Sequence, residues 1–197
     1  MNGARLPVFT VMGVAFALLA STPEGASLFE WQRGLAAGEP WRLLTGHFSH
    51  WSPAHLHWDL LVFAIFGALL ESRSRRAFLG VMALSGVGLG VALPLLHPAM
   101  EAYRGLSGID CALAAAVGAM HLGRRTWGDA AIGGAILLFV GGKVAFELGA
   151  GGPLFVDSGA AGFVSLPAAH GLGALAGLLG ITMHAVMRQN SGGVRAT

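Results

Sequence analysis

The sequence predicts an all-α protein that crosses a membrane several times. Three observations predict it. Of 197 residues, 54% are hydrophobic and only 11% charged, and the mean hydropathy is +0.66. Soluble domains carry about 25% charged residues, so this chain is short of the groups that cover a water-facing surface. Its apolar residues fall in runs near the ~20 residues that a helix needs to cross hydrocarbon. Glycine supplies 31 residues, about twice its usual ~7% share. In lipid that excess has a use, because small residues let helix backbones approach where packing rather than water drives association. The length suits one domain, 1–197. A net charge of +2 gives no argument for nucleic acid. The single cysteine, Cys111, excludes an internal disulfide and reads as a core residue.

Six spans are predicted: 7–22, 53–71, 77–96, 107–122, 129–149 and 167–187. The first follows Arg5; as a short apolar run ending in small residues it also fits a cleaved signal peptide, which would leave five spans. Between the first two lies an amphipathic segment, 23–52, whose Trp31, Trp41 and Trp51 suit the membrane interface. The third span lies between Arg76 and His97, the fourth opens at Ser107, the fifth carries Lys143 and Glu147, and the sixth opens near His170. Gly149 to Pro167 is glycine-rich, with Asp157 its one charge. It reads as an external loop, either a gate or a simple connector. Arg5, Arg73, Arg75, Arg76, Arg124, Arg125, Arg188 and Arg195 fall on one side of this topology, and Arg33, Arg42 and Arg104 on the other. By the positive-inside rule both termini are cytoplasmic.

This topology brings polar residues together. Spans two, four and six run in the same direction, so His55, Ser107 and His170 share one depth in the outer half of the membrane. Ser107 stands in Gly105-Leu106-Ser107-Gly108, and His170 is followed by Gly173 and Gly177 on its own helix face. A serine nucleophile needs a base, and imidazole is suited to the task. Gly173 and Gly177 would let the sixth span press against the fourth, and Gly105 and Gly108 would open the approach to the serine. The N-terminus of the fourth span adds N–H donors and a positive dipole end beside a developing oxyanion. His55 offers one more donor. Ionisable groups inside spans are functional candidates by default, and this set implies hydrolysis of a bond within the bilayer.

At these residues the chain resembles the rhomboid intramembrane serine proteases. The resemblance rests on Gly-x-Ser-Gly at 105–108 and Ala-His-x-x-Gly-x-x-x-Gly at 169–177. Trp41-Arg42 with Thr45, the histidines at 50 and 55, and Glu71 at the far end of the second span add to it. It covers about 39–187 and implies a six-helix rhomboid-like bundle with a Ser107–His170 dyad and no cofactor. Rhomboids usually carry an oxyanion-binding asparagine four residues after the second-span histidine. Here that position is Asp59, and an ionised carboxylate only accepts hydrogen bonds. Asp59 is therefore expected to be protonated, or else replaced in its role by His55 and backbone donors. The compact core and His-Leu-x-Trp-Asp at 55–59 are most like the rhombosortase branch. That likeness implies exported substrates with a C-terminal Gly-Gly-containing membrane tail, in a bacterial inner membrane, with the site facing the periplasm.

Other readings remain open. His47, His50, His55, His57 and Asp59 are dense enough for a metal site, though no His-Glu-x-x-His occurs. Two histidines among His55, His97, His121, His170 and His184 could ligate haem in an electron carrier, which leaves the Ser107 glycine box unexplained. A catalytically dead relative finds support only in Asp59. Lys143 and Glu147, at i and i+4, read as mutual neutralisation or as a gate contact, and Asp110 as a structural hydrogen bond or an orienter of His170. Reporter fusions test the topology: a C-terminal reporter should be cytoplasmic and one after Gly151 periplasmic, and the reverse would invert the orientation.

Overall fold

Prolines and hydroxyl caps set the helix starts. In the computed structural model, which describes residues 6–124, 126–150 and 166–193, α1 (Val8–Ala20) ends at Ser21. The chain then bends by 106° into α2 (Pro23–Phe29), where the Thr22 hydroxyl accepts from Gly25 N at 3.0 Å and proline holds the first turn. A short α3 (Arg42–Thr45) leads to α4 (Pro53–Arg73), which starts by the same device: Ser52 caps His55 N at 3.2 Å. Ser74 ends α4 and caps α5 (Arg75–Leu96). Then come α6 (Ser107–Leu122), α7 (Trp127–Ala150) and α8 (Pro167–Gly193). The fold is all-α, with one antiparallel two-residue ladder, β1 (Trp31–Gln32) against β2 (Ala102–Tyr103).

Helices occupy each of the six predicted ranges, with differences at the ends. By length and composition α4, α5, α7 and α8 can each cross a membrane, and α1 qualifies only together with α2 as a bent pair. With 16 residues, α6 rises about 24 Å at ~1.5 Å per residue, less than the ~30 Å hydrocarbon core. Most of the Gly149–Pro167 connection, Asp157 included, lies outside the described residues, as do Arg5, Arg125 and Arg195 of the orientation count.

The bundle is built around α6. Every residue from Gly108 to Gly118 is buried, which requires a helix that is apolar on all sides, and α4, α5, α7 and α8 all pack on it. The contact with α8 is the closest. A Cβ at Gly173 would lie 1.9 Å from the Gly108 carbonyl oxygen, and one at Gly177 would lie 2.0 Å from that of Ala112. Only glycine fits there. At the other end of α4, the carboxylate of Glu71 accepts from Phe9 N (3.1 Å), Thr10 N (2.8 Å) and the Thr10 hydroxyl (2.9 Å). These are first-turn groups of α1 that no intrahelical carbonyl can serve, so Glu71 caps α1 from another helix.

The 23–52 segment is tied down rather than simply resting at an interface. Arg42 donates to the carbonyls of Glu30 (2.8 Å) and Ser27 (3.0 Å), and the Thr45 hydroxyl donates to that of Phe29 (2.8 Å). Arg33 holds the next loop through the carbonyls of Met100 (3.0 Å) and His97 (3.2 Å). His47 is buried and bonded to the Gly86 carbonyl at 3.0 Å; burial lowers its pKa to about 4, so it is neutral there.

Gly173→Ala and Gly177→Ala should force α6 and α8 apart. Each is expected to lose about 1–3 kcal/mol or more from overpacking, read as a lower thermal midpoint in detergent. Gly134→Ala, where no atom lies within 4 Å of the added Cβ, is the control and should leave the midpoint in place.

Candidate active site

Three helices deliver their first turns to one place. Ser107 is the first residue of α6, His170 lies in the first turn of α8, and His55 and Asp59 lie in the first two turns of α4. His170 Nε2 is 2.8 Å from Ser107 Oγ. Its other nitrogen, Nδ1, is 2.5 Å from Glu147 Oε2 and 3.0 Å from Lys143 Nζ, while Lys143 donates to Glu147 Oε1 at 2.6 Å. A carboxylate only accepts, so with Lys143 on Oε1 the other oxygen accepts a hydrogen bond from Nδ1–H. Nε2 is then the basic nitrogen and accepts from the serine hydroxyl. His170 is 4% exposed and Glu147 not at all.

The sequence left two alternatives for Asp59, a protonated donor or replacement in that role by His55 and backbone donors, and the contacts of one of its oxygens bear on them. Its Oδ2 accepts from Leu106 N at 2.9 Å, bonds His50 Nε2 at 3.1 Å and faces His55 Nε2 at 3.3 Å. The backbone amide can only donate, so Oδ2 is an acceptor toward Leu106. His50 passes the network on through Nδ1, which lies 3.1 Å from the Ser21 hydroxyl oxygen. Asp59 thus holds the residue before the serine. Gly105 completes that turn: its φ of +133° is open to glycine, and a Cβ would meet His55 Cε1 at 2.9 Å. The Tyr103 hydroxyl donates to the Gly105 carbonyl at 3.0 Å; burial, with Asp59 and Asp110 nearby, pushes this phenol up and keeps it a donor.

For Asp110 the sequence offered a structural hydrogen bond or a role orienting His170. The residue is buried, and its Oδ1 has no hydrogen-bond partner among the described residues, His170 included. Cys111 is a buried free thiol. Both line a cavity of about 1080 Å³ that also exposes Ser107, His170 and Lys143. The cavity runs between α4, through Trp58, Leu61 and Ile65, and α7, through Ile136 and Phe139.

The other histidines are dispersed. His57 is exposed against Trp58, His121 pairs with Asp129 at 2.7 Å, and His184 meets Ser74 at 3.1 Å, at the opposite end of the bundle. Among the described residues no three His, Cys, Asp or Glu side chains are grouped to hold a metal. Sequence reasoning missed the Glu147–His170 contact. The i, i+4 spacing pointed Glu147 at Lys143 alone, and no local signal aims α7 at α8.

The Rhomboid domain family model matches residues 37–186, which include the serine box, the α8 glycines and the full cavity wall. The chain belongs to the rhomboid family, and this membership supports intramembrane proteolysis by a multi-pass membrane protein. Comparison with curated proteins finds no match.

Removing the Asp59 acceptor leaves buried donors unpaired, at about 1–3 kcal/mol each. Asp59→Ala should therefore lower both the thermal midpoint and the cleavage rate. Asp59→Asn, which keeps one acceptor oxygen, should fall in between. An Asn variant faster than wild type would restore the protonated-donor reading.

Proposed function

We propose that the chain is a serine endopeptidase whose catalytic pair is Ser107 and His170, acting on the C-terminal membrane tail of an exported protein. The observation that carries this is the 2.8 Å Ser107–His170 contact at the wall of an apolar cavity between two helices. Ser107 Oγ attacks the scissile carbonyl carbon as its proton passes to His170 Nε2. The tetrahedral oxyanion meets the first N–H groups of α6, which have no intrahelical acceptor. The C–N bond then breaks, the imidazolium gives its proton to the leaving amine, and water hydrolyses the acyl-serine with His170 again as base. Gly105 positions the serine turn, Asp59 holds that turn through Leu106 N, and His55 braces Gly105.

The substrate reading rests on fit. The cavity is apolar and open between α4 and α7, which suits a single helix arriving from lipid. An intact helix hides its carbonyls, and each Gly costs about 1 kcal/mol in a helix relative to Ala, so a Gly-Gly tail would unwind readily at Ser107. His-Leu-x-Trp-Asp at 55–59 resembles rhombosortase and supports the same substrate class. The setting proposed is a bacterial inner membrane, with both termini cytoplasmic and the site toward the periplasm. A short α6 would leave Ser107 below the membrane surface. The second reading is a general rhomboid protease cutting other single-span substrates.

Two measurements test this. In reconstituted vesicles, Ser107→Ala and His170→Ala should each remove most of the rate, and the double variant should lose little more; substantial activity in either single variant sinks the pair. In cells co-expressing a tail-bearing substrate, Leu in place of the tail glycines should abolish processing while leaving insertion intact. If only generic single-span substrates are cut, the second reading stands.

A further inference from the structure

Glu147 has no exposed surface on a helix that faces lipid and the cavity, and such a carboxylate is costly unless paired. Both of its oxygens are engaged, and only one by the neighbouring ammonium. Lys143 on the same helix takes Oε1 at 2.6 Å, while Oε2 reaches across to α8, 2.5 Å from His170 Nδ1. Charge neutralisation alone needs only the Lys143 contact. The second contact does something chemical: it selects the His170 tautomer with the proton on Nδ1 and leaves Nε2 bare toward Ser107 Oγ at 2.8 Å.

We propose that Glu147, clamped by Lys143, is a positioning residue that makes the serine–histidine pair a three-membered relay. This rests on the assignment of Ser107 and His170 as the catalytic pair. The carboxylate fixes the ring's orientation and tautomer. It also faces the imidazolium that forms when Nε2 takes the serine proton, so its attraction strengthens as the barrier is climbed. It takes up no proton itself. Lys143 holds the carboxylate's other oxygen and keeps the group turned toward α8. In water-poor surroundings this interaction counts for more than at a protein surface. A neutral amide would lose the charge and could flip to present its NH₂ to Nδ1, which selects the unproductive tautomer.

The test uses the full chain in vesicles, with kcat and KM measured on a tail-bearing substrate and Ser107 labelling by a fluorophosphonate probe. Glu147→Gln should lower kcat by roughly 10²-fold or more, as loss of an orienting carboxylate does in other serine hydrolases, with KM changed less than about 3-fold. Labelling should slow in step, and Glu147→Asp should recover part of the rate. Glu147→Gln with Lys143→Met removes both charges; it should regain the wild-type thermal midpoint yet stay slow. In a His170→Ala background, Glu147→Gln should change the residual rate less than about 2-fold. A folded Glu147→Gln variant with kcat within about 3-fold of wild type overturns the proposal, as does a full further loss in the His170→Ala background. If His170→Ala is itself active, the fault lies with the catalytic pair and not with Glu147.

Discussion

The close contact between α6 and α8 is the constraint on which the rest depends. In lipid no gain from expelling water pulls two helices together, and association rests on packing and on the small residues that permit it. With a Cβ excluded at Gly173 and Gly177 by carbonyl oxygens about 2 Å away, the two backbones touch directly. That contact sets where His170 can be. One turn above Gly173, its ring reaches the serine that begins α6, and Gly108 keeps the other side of the approach open: a Cβ there would lie 2.7 Å from Leu89 and 3.0 Å from the Ala169 carbonyl oxygen. A hydrogen bond between two side chains 63 positions apart is therefore a property of the glycines below it.

Buried carboxylates supply the second principle of construction. Glu71, Asp59 and Glu147 all lie inside the bundle, where an unpaired charge would be prohibitive. Each is satisfied by donors from a different segment: Glu71 by the first turn of α1, Asp59 by Leu106 N and two imidazoles, Glu147 by Lys143 and His170. A partner is costly to lose, so each carboxylate fixes the position of an element that apolar packing alone would leave free to slide. A basic residue between α5 and α6 acts likewise near the surface. Arg104 bridges Glu30 and the His50 carbonyl while lying 4.4 Å from the Trp51 ring centre.

What the sequence made legible follows from range. Apolar runs and glycine content mark the helices because they are local, and all six ranges contain one. The serine box and the α8 glycines are readable because their purpose, close approach to one partner, is written in their own spacing. The end of α1 was drawn too long because the bend at Ser21 depends on α2 docking beneath it. Asp59 was left with two alternatives for a related reason. A carboxylate's role depends on which donors face it, and Leu106 lies 47 positions away. Glu147 was half read: the i, i+4 partner was visible, the one on α8 was not. Asp110 was read as a structural hydrogen bond or an orienter of His170 by its place near a helix start, and its buried Oδ1 has no hydrogen-bond partner among the described residues.

The cavity between α4 and α7 poses a mechanical question that these contacts answer. On the proposed function, a substrate helix arriving from lipid would pass between the two walls, which barely touch each other. Neither wall is free to swing. Asp59 ties α4 to the residue before Ser107, and Glu147 ties α7 to His170. A rigid displacement of α4 would pull on the serine turn, and one of α7 would withdraw the carboxylate from the imidazole. Rotation of wall side chains disturbs neither tie. Trp58, Leu61 and Ile65 on α4 and Phe139 on α7 are each at least 42% exposed, and side chains with lipid on one side turn over at little cost in packing. On the proposed function, access through side-chain movement, with the backbones held by buried carboxylates, would admit substrate while keeping Ser107 and His170 within hydrogen-bond distance.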